Sequence, residues 1–258
     1  MYYVHCLAFH KQEKMSNHRP ITFNSKSKRV PIIVVPGFLT ANDEQWGAFV
    51  AKTTGHPVHL LNWESFSNSK MLAHAFKSIF IRGWLSSLTT PVELWKKACK
   101  EVDKVILSIS NYITDNFHDT PFILLGHSLG GRIVSEVTFL IDNKNLLSTI
   151  VIAGAINRLD FDTITRSKDN IPSIGYINFF SQNDKILSNF YRAASLYHET
   201  PIGMVNSNGQ RVINKVTDLG HSEYLTNDYF RRELSKCIYS IQNIYESDLA
   251  PSRPLVVG

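Results

Sequence analysis

Short runs of consecutive apolar residues alternate along the chain with stretches whose apolar positions fall three and four apart, a pattern that predicts buried strands joined by amphipathic helices. Ile32-Ile33-Val34-Val35 is a β-branched run stopped by Pro36-Gly37, and Pro57 to Trp63 reads as the next strand. Pro121 to Leu125, Thr149 to Ala153, Ile174 to Phe180 and the shorter Val212 to Val216 follow. Between the first two strands, Gln45 to Lys52 carries Trp46, Phe49 and Val50 at helical spacing, which makes a strand, helix, strand unit of the parallel-sheet type. Thr90-Pro91-Val92-Glu93 offers an N-cap, a first-turn proline and a capping-box glutamate. Val92, Trp95, Cys99, Val102, Ile106, Ile109 and Ile113 then place one apolar stripe on a long helix that packs on the sheet. Ile133, Val134, Val137, Leu140 and Ile141 mark the buried face of another helix, and Leu234, Ile238 and Ile241 that of a last one over Tyr229 to Ile244.

This order predicts an α/β fold with a mostly parallel central sheet flanked by helices, in a single domain over residues 1–258 with its core in 30–245. Residues 1–29 are weakly patterned, with a short hairpin of Tyr3 to Phe9 and Ile21 to Asn24 as one reading, and the tail 247–258 reads as irregular. The region between Trp63 and Pro121 is longer than a helical crossover requires, so 66–90 is expected to be a helical insertion before the third core strand. Met71 to Leu88 within it holds Leu72, Phe76, Ile79, Phe80, Ile81, Trp84, Leu85 and Leu88 against only Lys77 and Arg82 as charges. A lid over a hydrophobic pocket and plain burial both account for that composition.

Composition narrows the partners. A chain of 258 residues with 43% hydrophobic positions is long enough for one sizeable core. The net charge of +5 comes from dispersed Lys and Arg plus a small cluster at Lys26, Lys28 and Arg29, which suits peripheral contact with an anionic membrane surface. Nucleic acid is not expected, because no basic stripe is interleaved with aromatics. Cys6, Cys99 and Cys237 are far apart and odd in number, so neither a disulfide framework nor a metal pair is indicated, and no cofactor is expected. The N-terminus lacks the features of a secretory signal and no run is long enough to span a bilayer. A cytoplasmic or peripheral-membrane location is the expectation, with export by a signal-independent route left open.

The chemistry centres on Gly126-His127-Ser128-Leu129-Gly130, where a strand meets a helix with serine at the apex. A turn that tight forces the serine into an unfavourable backbone conformation and leaves no room for a Cβ at its flanks, which is the layout of a nucleophile elbow. Serine becomes a useful nucleophile only beside a base oriented by an acid. Asp184, in Ser181-Gln182-Asn183-Asp184 after the strand ending at Phe180, and His221, in Gly220-His221-Ser222 after the strand ending at Val216, complete the order Ser, Asp, His. Asp160 and Asp162 are the rival acids, Asp218 is too close to His221 in sequence to orient it naturally, and Glu64 reads as a loop or pocket group. His127 points away from the serine, so local packing or a local hydrogen bond is its expected part. The backbone N–H groups of Leu129 and Phe38, the latter in Pro36-Gly37-Phe38-Leu39, are the expected oxyanion donors.

With those residues placed, the chain resembles the hydrolase domain of the transmembrane and coiled-coil domain-containing family. Val35-Pro36-Gly37-Phe38-Leu39 is similar to its oxyanion turn, Leu61-Asn62-Trp63-Glu64-Ser65 to its Trp-Glu motif, and Leu125 to Arg132 to its elbow. Asn178 to Leu187 and Gly220-His221-Ser222-Glu223-Tyr224-Leu225 are similar to its acid and histidine segments. The resemblance implies an α/β-hydrolase fold and esterase or lipase activity on an acyl ester or lipid, without that family's transmembrane helices. Two alternatives stand beside it: a non-catalytic hydrolase-fold protein that binds a lipid or partner, and a thioesterase or acyltransferase using the same three residues.

Overall fold

The apolar runs become strands of one sheet. In the computed structural model, which describes residues 20–37, 44–62, 89–142, 144–167, 171–191 and 198–249, these are β1 (Ile21–Phe23), β2 (Ile32–Val35), β3 (Val58–Leu60), β4 (Phe122–His127), β5 (Leu146–Ile152), β6 (Gly175–Phe180) and β7 (Val212–Val216). Their order is β1-β3-β2-β4-β5-β6-β7, with β1 antiparallel to β3 and every other pair parallel. The helices are α1 (Gln45–Thr54), α2 (Thr89–Asn116), α3 (Leu129–Leu140), α4 (Arg158–Arg166) and α5 (Asp228–Leu249). α1 packs with α5, while α2, α3 and α4 form a second group, and the two groups flank the sheet. Every residue of β2, β4, β5 and β6 is buried, as expected where helices cover both faces of a parallel sheet. This is the α/β-hydrolase fold.

The chain runs from β2 outward to β3 and then returns to β4 on the other side of β2, so the strand order reverses between β2 and β4. A reversal of this kind is the place where open α/β sheets form a crevice, at the carboxyl ends of the two strands. The turn after β2 and the turn after β4 are the two ends that meet at that crevice.

Several elements differ from the sequence expectation. Ile21–Phe23 is a strand, but it pairs with β3 (Ile21 opposite Leu60, Phe23 opposite Val58), while Tyr3 to Phe9 lies outside the described residues. β3 stops at Leu60, short of Trp63. β5 begins three residues earlier than the apolar run suggested, because Ser148 satisfies its hydroxyl on the Gly175 carbonyl at 2.8 Å and so tolerates a buried strand position. α4 was not predicted at all. Its signals were an Asn157 cap whose side chain accepts from Leu159 N–H, an acid in the first turn (Asp160) and a base in the last (Arg166). The last helix continues past Ser247 to Leu249. On α2, Val102, Ile106, Ile109 and Ile113 are buried as the stripe predicted and Cys99 is half-buried, while the side chains of Val92 and Trp95 and the whole of 66–88 lie outside the described residues. Among the described residues no helix is long and apolar enough to cross a membrane.

Glycine lets α3 start directly against β2. A Cβ on Gly130 would stand 2.1 Å from the Val35 carbonyl oxygen and 2.6 Å from that of Pro36, and a Cβ on Gly126 would stand 2.2 Å from the Gly130 oxygen. These neighbours are backbone and cannot swing aside. At Gly131 the nearest atoms are the Val151 side chain at 3.0 Å and Gly154 Cα at 3.1 Å, which small shifts relieve. Gly130→Ala is therefore expected to lower unfolding stability by about 3 kcal/mol or more, the upper part of the overpacking range. Gly131→Ala should stay within about 1 kcal/mol of the parent, since its steric strain is offset by better helix propensity. Urea unfolding of both variants checks this, and equal losses would contradict it.

Candidate active site

Ser128 stands between the last residue of β4 and the first of α3 with φ 56° and ψ −120°. Only tight turns put a non-glycine residue there, at a strain of about 1 to 3 kcal/mol. Four backbone hydrogen bonds hold it: Ser128 N–H donates to the Ile152 carbonyl at 3.0 Å, and its own carbonyl accepts from Gly131, Arg132 and Ala155 N–H at 3.0, 3.3 and 2.9 Å. The conformation swings the side chain out of the strand and helix geometry and toward the carboxyl end of the sheet.

His221 meets it there. Its Nε2 lies 2.9 Å from Ser128 Oγ, and its Nδ1 lies 2.6 Å from Asp184 Oδ2. A carboxylate only accepts, so Nδ1 carries the proton and Nε2 is the free base facing the serine hydroxyl. Asp184 is fully buried, and its other oxygen accepts the Leu187 N–H at 2.9 Å at the start of a helical turn. A buried carboxylate with both oxygens engaged in this way is a rigid orienting group for the imidazole.

The loop that presents His221 is built on itself. Gly220 N–H donates to the Glu223 carboxylate at 2.8 Å and Glu223 N–H returns to the Gly220 carbonyl at 3.1 Å, which closes the turn around the histidine. Tyr224 is buried against Phe230, with its hydroxyl 3.3 Å from Thr217 Oγ1, and burial pushes its phenol pKa up. These two supports escaped the sequence reading. Their signal was the spacing of Glu223 and Tyr224 after His221.

The rival acids go elsewhere. Asp162 is buried and accepts from Ser207 Oγ at 2.6 Å and Asn208 N–H at 3.0 Å, holding the loop before β7. Asp160 is on the exposed side of α4. Asp218 offers its backbone carbonyl to Asn183 Nδ2 at 3.3 Å. Glu64 lies outside the described residues.

For the anion-binding corner, Leu129 opens α3 beside Ser128, where first-turn N–H groups lack intrahelical partners. Gly37 brings the turn after β2 alongside: a Cβ built on it would stand 2.9 Å from Ser128 Cβ. Phe38 itself lies outside the described residues. The basic cluster is at the other end of the sheet. Lys26, Lys28 and Arg29 precede β2, at the amino edge of the parallel strands, and Arg29 Nη1 is bound to the Thr54 carbonyl at 2.7 Å. An anionic surface held there would face away from Ser128.

No family model matches the chain, and no curated protein matches it. Solved structures do resemble it: MenH from S. aureus (10% identity, 88% of this chain and 99% of that one, TM-score 0.48), an esterase from Pyrobaculum calidifontis (10%, 87% and 80%, 0.47) and proline iminopeptidase from Mycobacterium smegmatis (10%, 84% and 91%, 0.47). The fold rests on the strand order and the elbow described above.

Two buried histidines are expected to make the fold acid-sensitive. Burial, then the nearby His221, holds His127 well below the ordinary 6.5, and burial lowers His56, whose Nδ1 donates to the Val30 carbonyl at 2.8 Å. In the unfolded chain both take up a proton near pH 6.5, while the folded state stays neutral to lower pH, so the unfolded state binds more protons and stability rises with pH. The urea midpoint is expected to fall on acidification from about pH 7 to about pH 5. A midpoint that is flat or rises across that window would contradict the assignment.

Proposed function

We propose that the chain is a serine hydrolase of the esterase type. The observation that carries this reading is the contiguous relay from a strained serine through a histidine to a buried carboxylate, at 2.9 and 2.6 Å. In this reading His221 Nε2 takes the Ser128 proton as Oγ attacks an acyl carbonyl, and Asp184 stabilises the imidazolium that forms. The oxyanion is held by the Leu129 N–H and the Phe38 N–H, neutral donors that bind the developing charge by hydrogen bonding. Collapse of the intermediate returns the proton from His221 to the leaving alcohol and leaves an acyl-serine. Water, deprotonated by the same histidine, then attacks the acyl carbon, and His221 returns the proton to Ser128 Oγ as the acid leaves.

A hydrophobic acyl ester or lipid is the substrate class we propose, because Met71 to Leu88 is too apolar in sequence for an ordinary surface helix. Peripheral membrane contact through Lys26, Lys28 and Arg29 fits poorly with it, since that cluster lies at the far edge of the sheet.

A fluorophosphonate probe tests the chemistry directly. The native protein is expected to label once, at Ser128, and Ser128→Ala to lose all labelling while unfolding at the parent temperature. Asp184→Asn, which leaves the geometry but takes away the orienting charge, is expected to lower kcat on a short p-nitrophenyl ester by about 10⁴-fold. An unlabelled native protein would overturn the proposal.

A further inference from the structure

His127 is buried in the elbow and takes no part in the relay, yet its surroundings come from the elements that build the site. Its Nε2 lies 3.1 Å from the backbone carbonyl oxygen of His221. A carbonyl only accepts, so Nε2 carries the proton and donates. One face of the ring stacks on Trp46 of α1, with centroids 4.6 Å apart and planes at 27°. The His221 ring lies 4.9 Å away and that of Tyr224, 6.0 Å. With the proton on Nε2, Nδ1 is a lone pair. It is buried with no hydrogen-bond partner among the described residues, and a Cβ on Gly37 would come within 3.0 Å of it. The imidazole thus stands between the histidine loop and the turn after β2.

We infer that His127 is a positioning residue: its Nε2–H, held at the edge of a ring stacked on Trp46, anchors the His221 backbone. The geometry makes a distinction that sequence position hides. His127 and Ser128 are neighbours in the chain, but their side chains leave the elbow in different directions, one to the backbone of the base and the other to its imidazole. Two bonds from consecutive residues therefore anchor His221 at two points, its carbonyl and its Nε2, and Asp184 anchors it at a third. Two of these points are ring nitrogens and the third is the backbone that carries the ring, and together they limit where the imidazole sits and how it tilts. With the Nε2–H removed, the His221 backbone is released on one side and the Nε2 to Oγ approach loosens. A misplacement of about 1 Å in such a relay costs about 100-fold in rate. Burial holds the His127 pKa well below its ordinary value, so the ring stays a neutral donor near neutral pH.

The functional meaning of this inference rests on the serine-hydrolase reading, and the experiment separates the two. His127→Phe keeps an aromatic ring on Trp46 and deletes the donor, whereas His127→Gln deletes the ring and returns a carboxamide N–H. For each variant, the downfield proton resonance of the His221 Nδ1–H is recorded, together with the thermal midpoint, the fluorophosphonate labelling rate, and kcat and KM on p-nitrophenyl butyrate. His127→Phe is expected to broaden or lose the resonance and to lower the labelling rate and kcat about 10- to 100-fold at unchanged KM. His127→Gln is expected to bring resonance and rate back to within about threefold of the parent. If His127→Phe does not fold, His127→Gln decides alone: a parent-like resonance upholds the inference and a lost one overturns it. Parent-like behaviour of His127→Phe, or equal losses in both folded variants, also overturns it. A native protein that shows the resonance but takes no label sinks the hydrolase reading instead, and the resonance comparison still decides where His127 acts.

Discussion

Direct backbone contact between the start of α3 and the end of β2 is the constraint on which the site depends. Gly130 lies so close to the Val35 and Pro36 carbonyls that no side chain fits, and Gly126 is equally close to Gly130 itself. That contact draws the elbow against the neighbouring strand end. It also sets how near the turn at Gly37 comes to Ser128 and His127. Were the helix a side chain further away, the two strand ends at the point of order reversal would no longer share a crevice, and their turns could not act on one bound group.

The strain at Ser128 is the other half of that arrangement. A positive φ on a serine is held only where the surroundings over-determine it, and here four hydrogen bonds come from β5, from the first turn of α3 and from Ala155. The bonds to β5 and to Ala155 tie the serine to the segment after the next strand. A strained residue with so many fixed partners has little freedom to relax, so its hydroxyl is presented in one direction. Preorganisation of this kind holds the hydroxyl and the His221 imidazole together without a search.

Electrostatics follows from burial. Asp184 is completely buried and so would be costly as a free charge, but it is bonded at one oxygen to the Leu187 N–H and at the other to His221. The histidine is in turn held on its backbone side by His127, whose neutral ring can be a donor without adding charge to the cluster. Buried polar groups here form one connected chain from the elbow residues His127 and Ser128 through His221 to Asp184, with the His127 ring stacked on Trp46 of α1. This chain crosses elements that are far apart in sequence, and only the strand order makes them neighbours.

Local patterns in the sequence determined a great deal. The buried strands, α1, α2, α3 and α5 were legible because apolar periodicity and β-branched runs report burial wherever the surroundings are regular. The elbow was legible because only a glycine-flanked serine between strand and helix satisfies its steric demands, and Asp184 and His221 because each follows a strand end in the order the elbow implies. β1 found a partner in β3 that local pairing did not suggest, since sheet edges are completed by whatever strand the topology brings alongside. α4 was missed because it is short and mostly polar, so its cap and charges outweigh any stripe. That the rival carboxylate Asp162 instead holds the loop at Ser207 was decided only in three dimensions. The same is true of His127. Its neighbours in sequence reveal a residue of a tight turn, whereas its bond to the His221 carbonyl exists because parallel strands place the ends of β4 and the loop after β7 at the same edge of one sheet.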